Sequence, residues 1–421
     1  MVSRNQILKN FLSLGTVQLL NAGLQLAVIP RVVQRIGLEQ FGVVAVAQVL
    51  VFYLATLTDF GFNQTGTREV SVANGSKEKI NHLFWNITTI KLLLCLAGFL
   101  IMLIIILTVP VVQEHTALYL LAFVFVPGYA AQPVWLLQGL EKMQWLALSN
   151  LAARVLFVAL VFLFINEPGD ASLYLLFYGL GNLAAGLFST GLLIRKLGLQ
   201  LQVPSLPDIR KELRDGWMLT VTALSMNVAQ YGNIFLLRLF TNDLTAGYFG
   251  IAERIYFTMK QMLQAFSQTV YPGICRAATG DAAGLRNWNR KIFLPFLIPV
   301  LLAALVIAWQ APLLIQLFAG EAHEGSVTLL RLFTAIIVIT YSGLAPSLSL
   351  LALDKRMIYA RIYIVAVLLN ILVNLLLVPR FAAYGSITAV GITELFVAVS
   401  CWLVLQQFLK KMSSRGSPAI N

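Results

Sequence analysis

The chain has 421 residues, 59% of them hydrophobic and 11% charged, with a mean hydropathy of +0.81. No soluble domain of this length has enough interior to hide so much apolar side chain, so a water-soluble enzyme or binding module is excluded and a polytopic helical membrane protein is implied. The net charge of +12 therefore does not point to nucleic acid, because Lys and Arg collect in the cytoplasmic loops of membrane proteins.

A bilayer core of ~30 Å takes ~20 apolar residues per helix, and the pattern predicts twelve spans. Arg4 and Lys9 precede FLSLGTVQLLNAGLQLAVI. This run is long, carries Gln18, Asn21 and Gln25, and lacks a small-residue cleavage site, so it reads as an uncleaved first span over 7–29. The next five are expected at 42–63, 83–109, 117–138, 146–165 and 171–194. The last six are expected at 217–238, 246–271, 292–310, 327–351, 358–378 and 385–408. Turn-forming, charged stretches such as NGSKEK, NEPGD and TND separate them. With the N-terminus in the cytoplasm, only Arg31, Arg35, Arg238 and Arg380 of the 30 basic residues fall in the opposite loops. That bias places both termini in the cytoplasm.

The segment RKLGLQLQVPSLPDIRKELRDG, 195–216, reads as a cytoplasmic linker between an N-terminal six-helix lobe (1–194) and a C-terminal one (217–421). The halves share spacing. Phe41-Gly42 precedes Arg68 by the interval that separates Phe249-Gly250 from Arg276. Likewise Pro133 precedes Leu140-Glu141-Lys142 as Pro346 precedes Leu353-Asp354-Lys355. The common order implies a six-plus-six parallel repeat, an architecture in which transporters place substrate between the lobes near the midplane.

A charge inside a span costs about 2.5–3.5 kcal/mol on insertion scales and is a functional candidate. The basic set is Lys91, Arg154, Arg254, Lys260 and Arg331, and the acidic set is Asp59, Glu253 and Glu394. Arg154, Lys260 and Glu394 lie too deep to snorkel easily and imply a cavity or a buried pair, whereas Lys91 and Arg331 lie nearer an interface. On the eighth span Glu253, Lys260, Gln264, Ser267 and Tyr271 share one helical face. Interhelical hydrogen bonding is the alternative use of such stripes, including Gln18, Asn21 and Gln25. The basic surplus favours an anionic ligand held by Arg154, Arg254, Lys260, Lys91 and, at the outer face, Arg31. Glu253 and Glu394 are the acids placed to take a coupling proton. Asp59 closes the second span; its alternative role is one half of an Asp–Arg gate. Cys95, Cys275 and Cys401 show no CxxC or metal spacing and read as packing residues. No metal, cofactor or catalytic constellation is expected, and the short outer loops argue against a glycan polymerase or ligase.

Two stretches, PVWLLQGLEKM at 133–143 and TDFGFNQTGTREVS at 58–71, carry a family resemblance. The chain resembles, over essentially its whole length, the Wzx-type O-antigen flippases among the polysaccharide-biosynthesis transporters. These belong to the multidrug/oligosaccharidyl-lipid/polysaccharide exporter superfamily. The resemblance implies an all-α, two-lobed membrane fold and no enzymatic activity. It implies movement of an undecaprenyl-pyrophosphate-linked oligosaccharide from the cytoplasmic to the periplasmic leaflet of a bacterial inner membrane. It also implies alternating access, coupling to H+ or Na+, and glycan polymerase and chain-length proteins as partners. Two other readings stay open: an organic-cation exporter of the same superfamily, with Glu253 and Glu394 as its acids, and a flippase for another lipid-linked glycan.

Overall fold

The computed structural model describes residues 28–73, 76–278 and 282–414. The expected first span up to residue 27, with Gln18, Asn21 and Gln25, lies outside the described residues. The described residues contain helices and turns and no strand. The described residues form two compact units, one of Arg31–Leu239 and one that runs from Phe240 onward.

The described chain opens with α1, residues 28–36, and the first unit begins within it at Arg31. Then come α2 (Leu38–Asp59), α3 (Phe62–Val72), α4 (Lys77–Thr108) and the short α5 (Pro110–Gln113). They are followed by α6 (Thr116–Ala122), α7 (Phe125–Ala131), α8 (Val134–Gly139), α9 (Met143–Phe164), α10 (Ala171–Leu197) and α11 (Leu206–Phe240). The expected second span ends at Asp59, four residues early. Phe60 (φ 46°) and Gly61 (φ 75°) both take the left-handed backbone that terminates a helix. The chain restarts as α3 in a new direction. Phe62, Ile80, Phe84, Ile87 and Trp135 bury the α3–α4–α8 corner.

The expected linker 195–216 is mostly helical. α10 runs on to Leu197, α11 already begins at Leu206, and only 198–205 is irregular. Ile209 and Leu213, four residues apart on one helical face, supply the reason: both pack on that corner's core. The compact units divide at 239/240 rather than within 195–216. Along its length α11 packs on α2. Asn227 donates a hydrogen bond to Thr56, and the Tyr231 and Phe52 rings lie 5.7 Å apart. About three turns into α11, Gly216 meets the carbonyl of Phe60 so closely that a side chain there would collide with backbone.

The second unit holds α12 (Asp243–Ala278), α13 (Ala282–Trp309), α14 (Ala311–Ala319), α15 (Glu324–Ala352), α16 (Arg356–Phe381) and α17 (Ala383–Ser414). Phe249, Phe333, Tyr256, Phe266 and Tyr341 lie buried within it.

On α4, Leu92, Leu96, Leu100, Ile104 and Leu107 form an exposed apolar stripe at helical spacing, while Phe84, Ile87, Ile90, Met102 and Ile106 point inward. An apolar exterior over an apolar core is what a bilayer as solvent demands. Eight of the described helical stretches are long and apolar enough to cross a membrane. α9, α11 and α12 occupy three further expected spans, being shorter in their apolar run or more polar. The chain is a multi-pass, all-α membrane protein.

The turns that the sequence pairs across the halves have the same backbone. Glu141 and Asp354 each have φ 57°. In the first turn Glu141 donates its N–H to the Gln138 carbonyl at 3.0 Å and Lys142 to Leu137 at 2.8 Å. In the second, Asp354 donates to Leu351 at 3.1 Å and Lys355 to Leu350 at 2.9 Å.

Candidate functional site

In the first unit, Lys91 is buried (4% exposed) on α4, with its Nζ 3.4 Å from Asp59 Oδ1 at the end of α2. The helix stop at Phe60–Gly61 fixes where the Asp59 carboxylate sits, and α4 passes beside it. An ammonium so far from water needs such a partner, since breaking a buried pair from one side costs about 3–5 kcal/mol. Asp59 thus pairs with a lysine, not with the arginine expected of a gate.

Arg31, expected on the outer anion path, is tied to the turn after α9. Its guanidinium donates to Asn166 Oδ1 at 3.0 Å and lies 5.9 Å from the Phe162 ring centroid. Asp170 braces that turn by accepting from the Asn166 and Glu167 N–H groups. Arg154 on α9 is half-buried and engages neighbouring groups.

In the second unit the deep charges converge. Lys260 on α12 donates to Glu394 Oε1 on α17 at 2.8 Å. Tyr256, one turn earlier, donates to the same oxygen at 3.4 Å, and its hydroxyl lies 3.3 Å from Thr340 Oγ1 on α15. The Lys260 ammonium also sits 5.4 Å from the Tyr256 ring centroid, within range of a cation–π contact. Two side chains of α12 therefore hold the α17 carboxylate, and α15 contacts one of them. Glu253, two turns from Lys260, is buried (6% exposed) and has no hydrogen-bond or ion-pair partner among the described residues. Arg254 beside it is half-buried and engages neighbouring groups. Gln264 is exposed, and Ser267 hydrogen-bonds the Leu263 carbonyl of its own helix at 2.9 Å.

The structure thus brings together Lys260 with Glu394, and Lys91 with Asp59. Reading each charge by its depth does not reveal either pairing. It also does not reveal Asn370 and Asn374 on α16, buried at 3% and 0%. Asn370 donates to Thr393 at 3.2 Å, next to Glu394, and Asn374 donates to the Asn370 carbonyl at 2.9 Å. Two asparagines four residues apart inside an apolar span were the available signal.

Apolar-faced helices with ion pairs inside their spans define a polytopic all-α membrane protein. The fold matches the inward-facing conformation of a multidrug resistance MATE family transporter of the MOP superfamily. The TM-score is 0.74 at 14% identity, covering 95% of this chain and 96% of that one. It also matches the inward closed conformation of the lipid II flippase MurJ, with a TM-score of 0.70 at 14% identity, covering 96% and 90%. At these identities the likeness is one of fold. Residues 7–278 match the family described as polysaccharide biosynthesis protein, and the chain belongs to that family. It is 25% identical over 394 residues to the "Putative O-antigen transporter" of Escherichia coli (strain K12), covering 92% of this chain and 94% of that protein. A protein of the same name from Shigella dysenteriae is 24% identical over 398 residues, covering 93% and 98%.

Proposed function

We propose that the protein flips a lipid-linked glycan across a bacterial inner membrane. The specific cargo in this reading is an undecaprenyl-pyrophosphate-linked O-antigen or similar repeat unit, moved from the cytoplasmic to the periplasmic leaflet. The observation that carries the reading is full-length similarity to two proteins named as O-antigen transporters, within the polysaccharide biosynthesis family. The positive-inside bias supports cytoplasmic termini. The matched turns at Glu141 and Asp354 support a six-plus-six repeat, and the reading is transport by alternating access.

The Lys260–Glu394 pair supports a way to couple cargo to a proton. It joins one residue from the anion-binding set with one from the acidic set. An arriving pyrophosphate competes with Glu394 for the Lys260 ammonium. Glu394, released from its counter-charge, is the acid placed to take the coupling proton. When the cargo leaves, the proton leaves and the pair re-forms. Arg154 and Arg254 supply further positive charge, and Glu253 is a second proton carrier on the same helix as Lys260. Lys91 and Asp59 brace the α2–α4 corner, and Arg31 steadies the outer turn.

The test uses a strain lacking the gene. Lipid-linked repeats should accumulate in the cytoplasmic leaflet while surface glycan disappears. Normal repeat levels with a new sensitivity to organic cations would instead establish the exporter reading, with Glu253 and Glu394 as its site.

A further inference from the structure

The segment that joins α10 to α11 is docked, not loose. Gly198 turns left-handed and ends α10, and Leu199 is buried in the core of the α3–α4–α8 corner. Asn81 on α4 then grips the backbone and a side chain together. It accepts from the Gln200 N–H at 2.9 Å and donates to Gln202 Oε1 at 3.1 Å. Further on, His82 Nε2 lies 3.2 Å from Asp208 Oδ2. Ile209 and Leu213 pack on the core, and Lys211 reaches Glu69 on α3 at 3.9 Å. Between them Glu212 is buried (5% exposed), with no hydrogen-bond or ion-pair partner among the described residues.

We propose that residues 198–213 form a latch that closes on the α3–α4 corner as the cytoplasm acidifies and opens as it turns alkaline. A carboxylate carried into that contact loses its water and gains no partner. Undocking returns it to solvent, so ionisation and docking oppose each other. Burial, and then the Glu69 carboxylate opposite, push Glu212 up to about 7. Lys211 acts against this, and Asp215 and Asp208 on the same helix act with it. The docked state therefore binds a proton that the free state, near the ordinary carboxylate value, gives up. Docking is strongest at acid pH and weakens as pH rises through about 7. The Ser205 hydroxyl, and then His82, hold Asp208 below its ordinary range. Asp208 therefore stays anionic through the range in which Glu212 titrates, and the pH dependence of docking rests on Glu212.

The test is hydrogen–deuterium exchange on the full-length protein in nanodiscs at pH 6 and pH 8, corrected for intrinsic exchange rates. Residues 198–213 should be about tenfold more protected at pH 6 than at pH 8, as the Glu212 shift requires. In Glu212→Gln the segment should stay docked at both values. Equal protection in the unaltered protein overturns the proposal, as does a Glu212→Gln variant that keeps the tenfold difference. Should that variant not fold, Glu69→Gln must shrink the difference, and an undiminished one is equally fatal. The readout involves no transport, so the latch and the flippase reading fail separately.

Discussion

Glu141 and Asp354 stand 213 positions apart and hold the same left-handed backbone in the same hydrogen-bonded turn. Each is followed by a lysine. Lys355 lies 5.0 Å from the Phe408 ring centroid. A left-handed residue with a Cβ costs about 1–2 kcal/mol, so two such residues at matched positions mark one turn used twice.

That strain gives the first prediction. Glu141→Gly and Asp354→Gly should each leave stability unchanged or raise it by up to about 1 kcal/mol. Glu141→Val should lower it, because a β-branched residue tolerates positive φ least. Thermal denaturation in detergent reads the order. A valine variant as stable as the glycine variant would show that the turn relaxes to another backbone.

The Asp59–Lys91 contact gives the second. Lys91→Met strands a mostly buried carboxylate and should cost about 3 kcal/mol. Adding Asp59→Asn should recover most of that loss. A double variant no more stable than Lys91→Met alone would mean that the two residues do not act as a pair.

The third concerns Lys260 and Glu394. The double variant Lys260→Met/Glu394→Gln keeps a neutral site and should accumulate near the normal level, while transport of lipid-linked repeats in vesicles falls at least tenfold. Glu394→Gln alone should still bind the lipid pyrophosphate but lose its response to an imposed proton gradient. Undiminished transport by the double variant would reduce the pair to a packing device.

The fourth tests the crossing of α11 over the α2 stop. A Cβ at Gly216 presses on the Phe60 carbonyl, so Gly216→Ala should cost about 1–3 kcal/mol through overpacking. Gly191 on α10 meets nothing within 4 Å, and Gly191→Ala should be neutral or stabilise by up to about 1 kcal/mol. The comparison separates contact from helix propensity.

Span count and class were legible because apolar run length is a direct consequence of bilayer thickness. The polar stripe on α12 was legible too, since helical periodicity is local. Partners were not. Nothing near Lys260 in the sequence points to Glu394; only the packing of α12 against α17 brings them together. The start of α11 was missed for a different reason. Charge in the stretch RKELRDG reads as linker, and the weaker signal, Ile209 and Leu213 on one face, matters only once a core is present to receive them. Asp59 is legible as a helix stop, but its lysine partner lies two helices further on, on α4.

The two intramembrane pairs also set a schedule for making the protein. Asp59 waits for Lys91, only 32 residues later, whereas Lys260 waits for Glu394 across 134 residues. At synthesis rates of about 5–20 residues per second, the first interval is roughly 2–6 s and the second roughly 7–27 s. Lys260 therefore enters the membrane long before the ribosome has made its counter-ion. The second unit cannot bury its charges as neutral pairs until its last helix arrives, so a chain truncated before α17 is left holding an orphaned lysine that quality-control proteases can recognise.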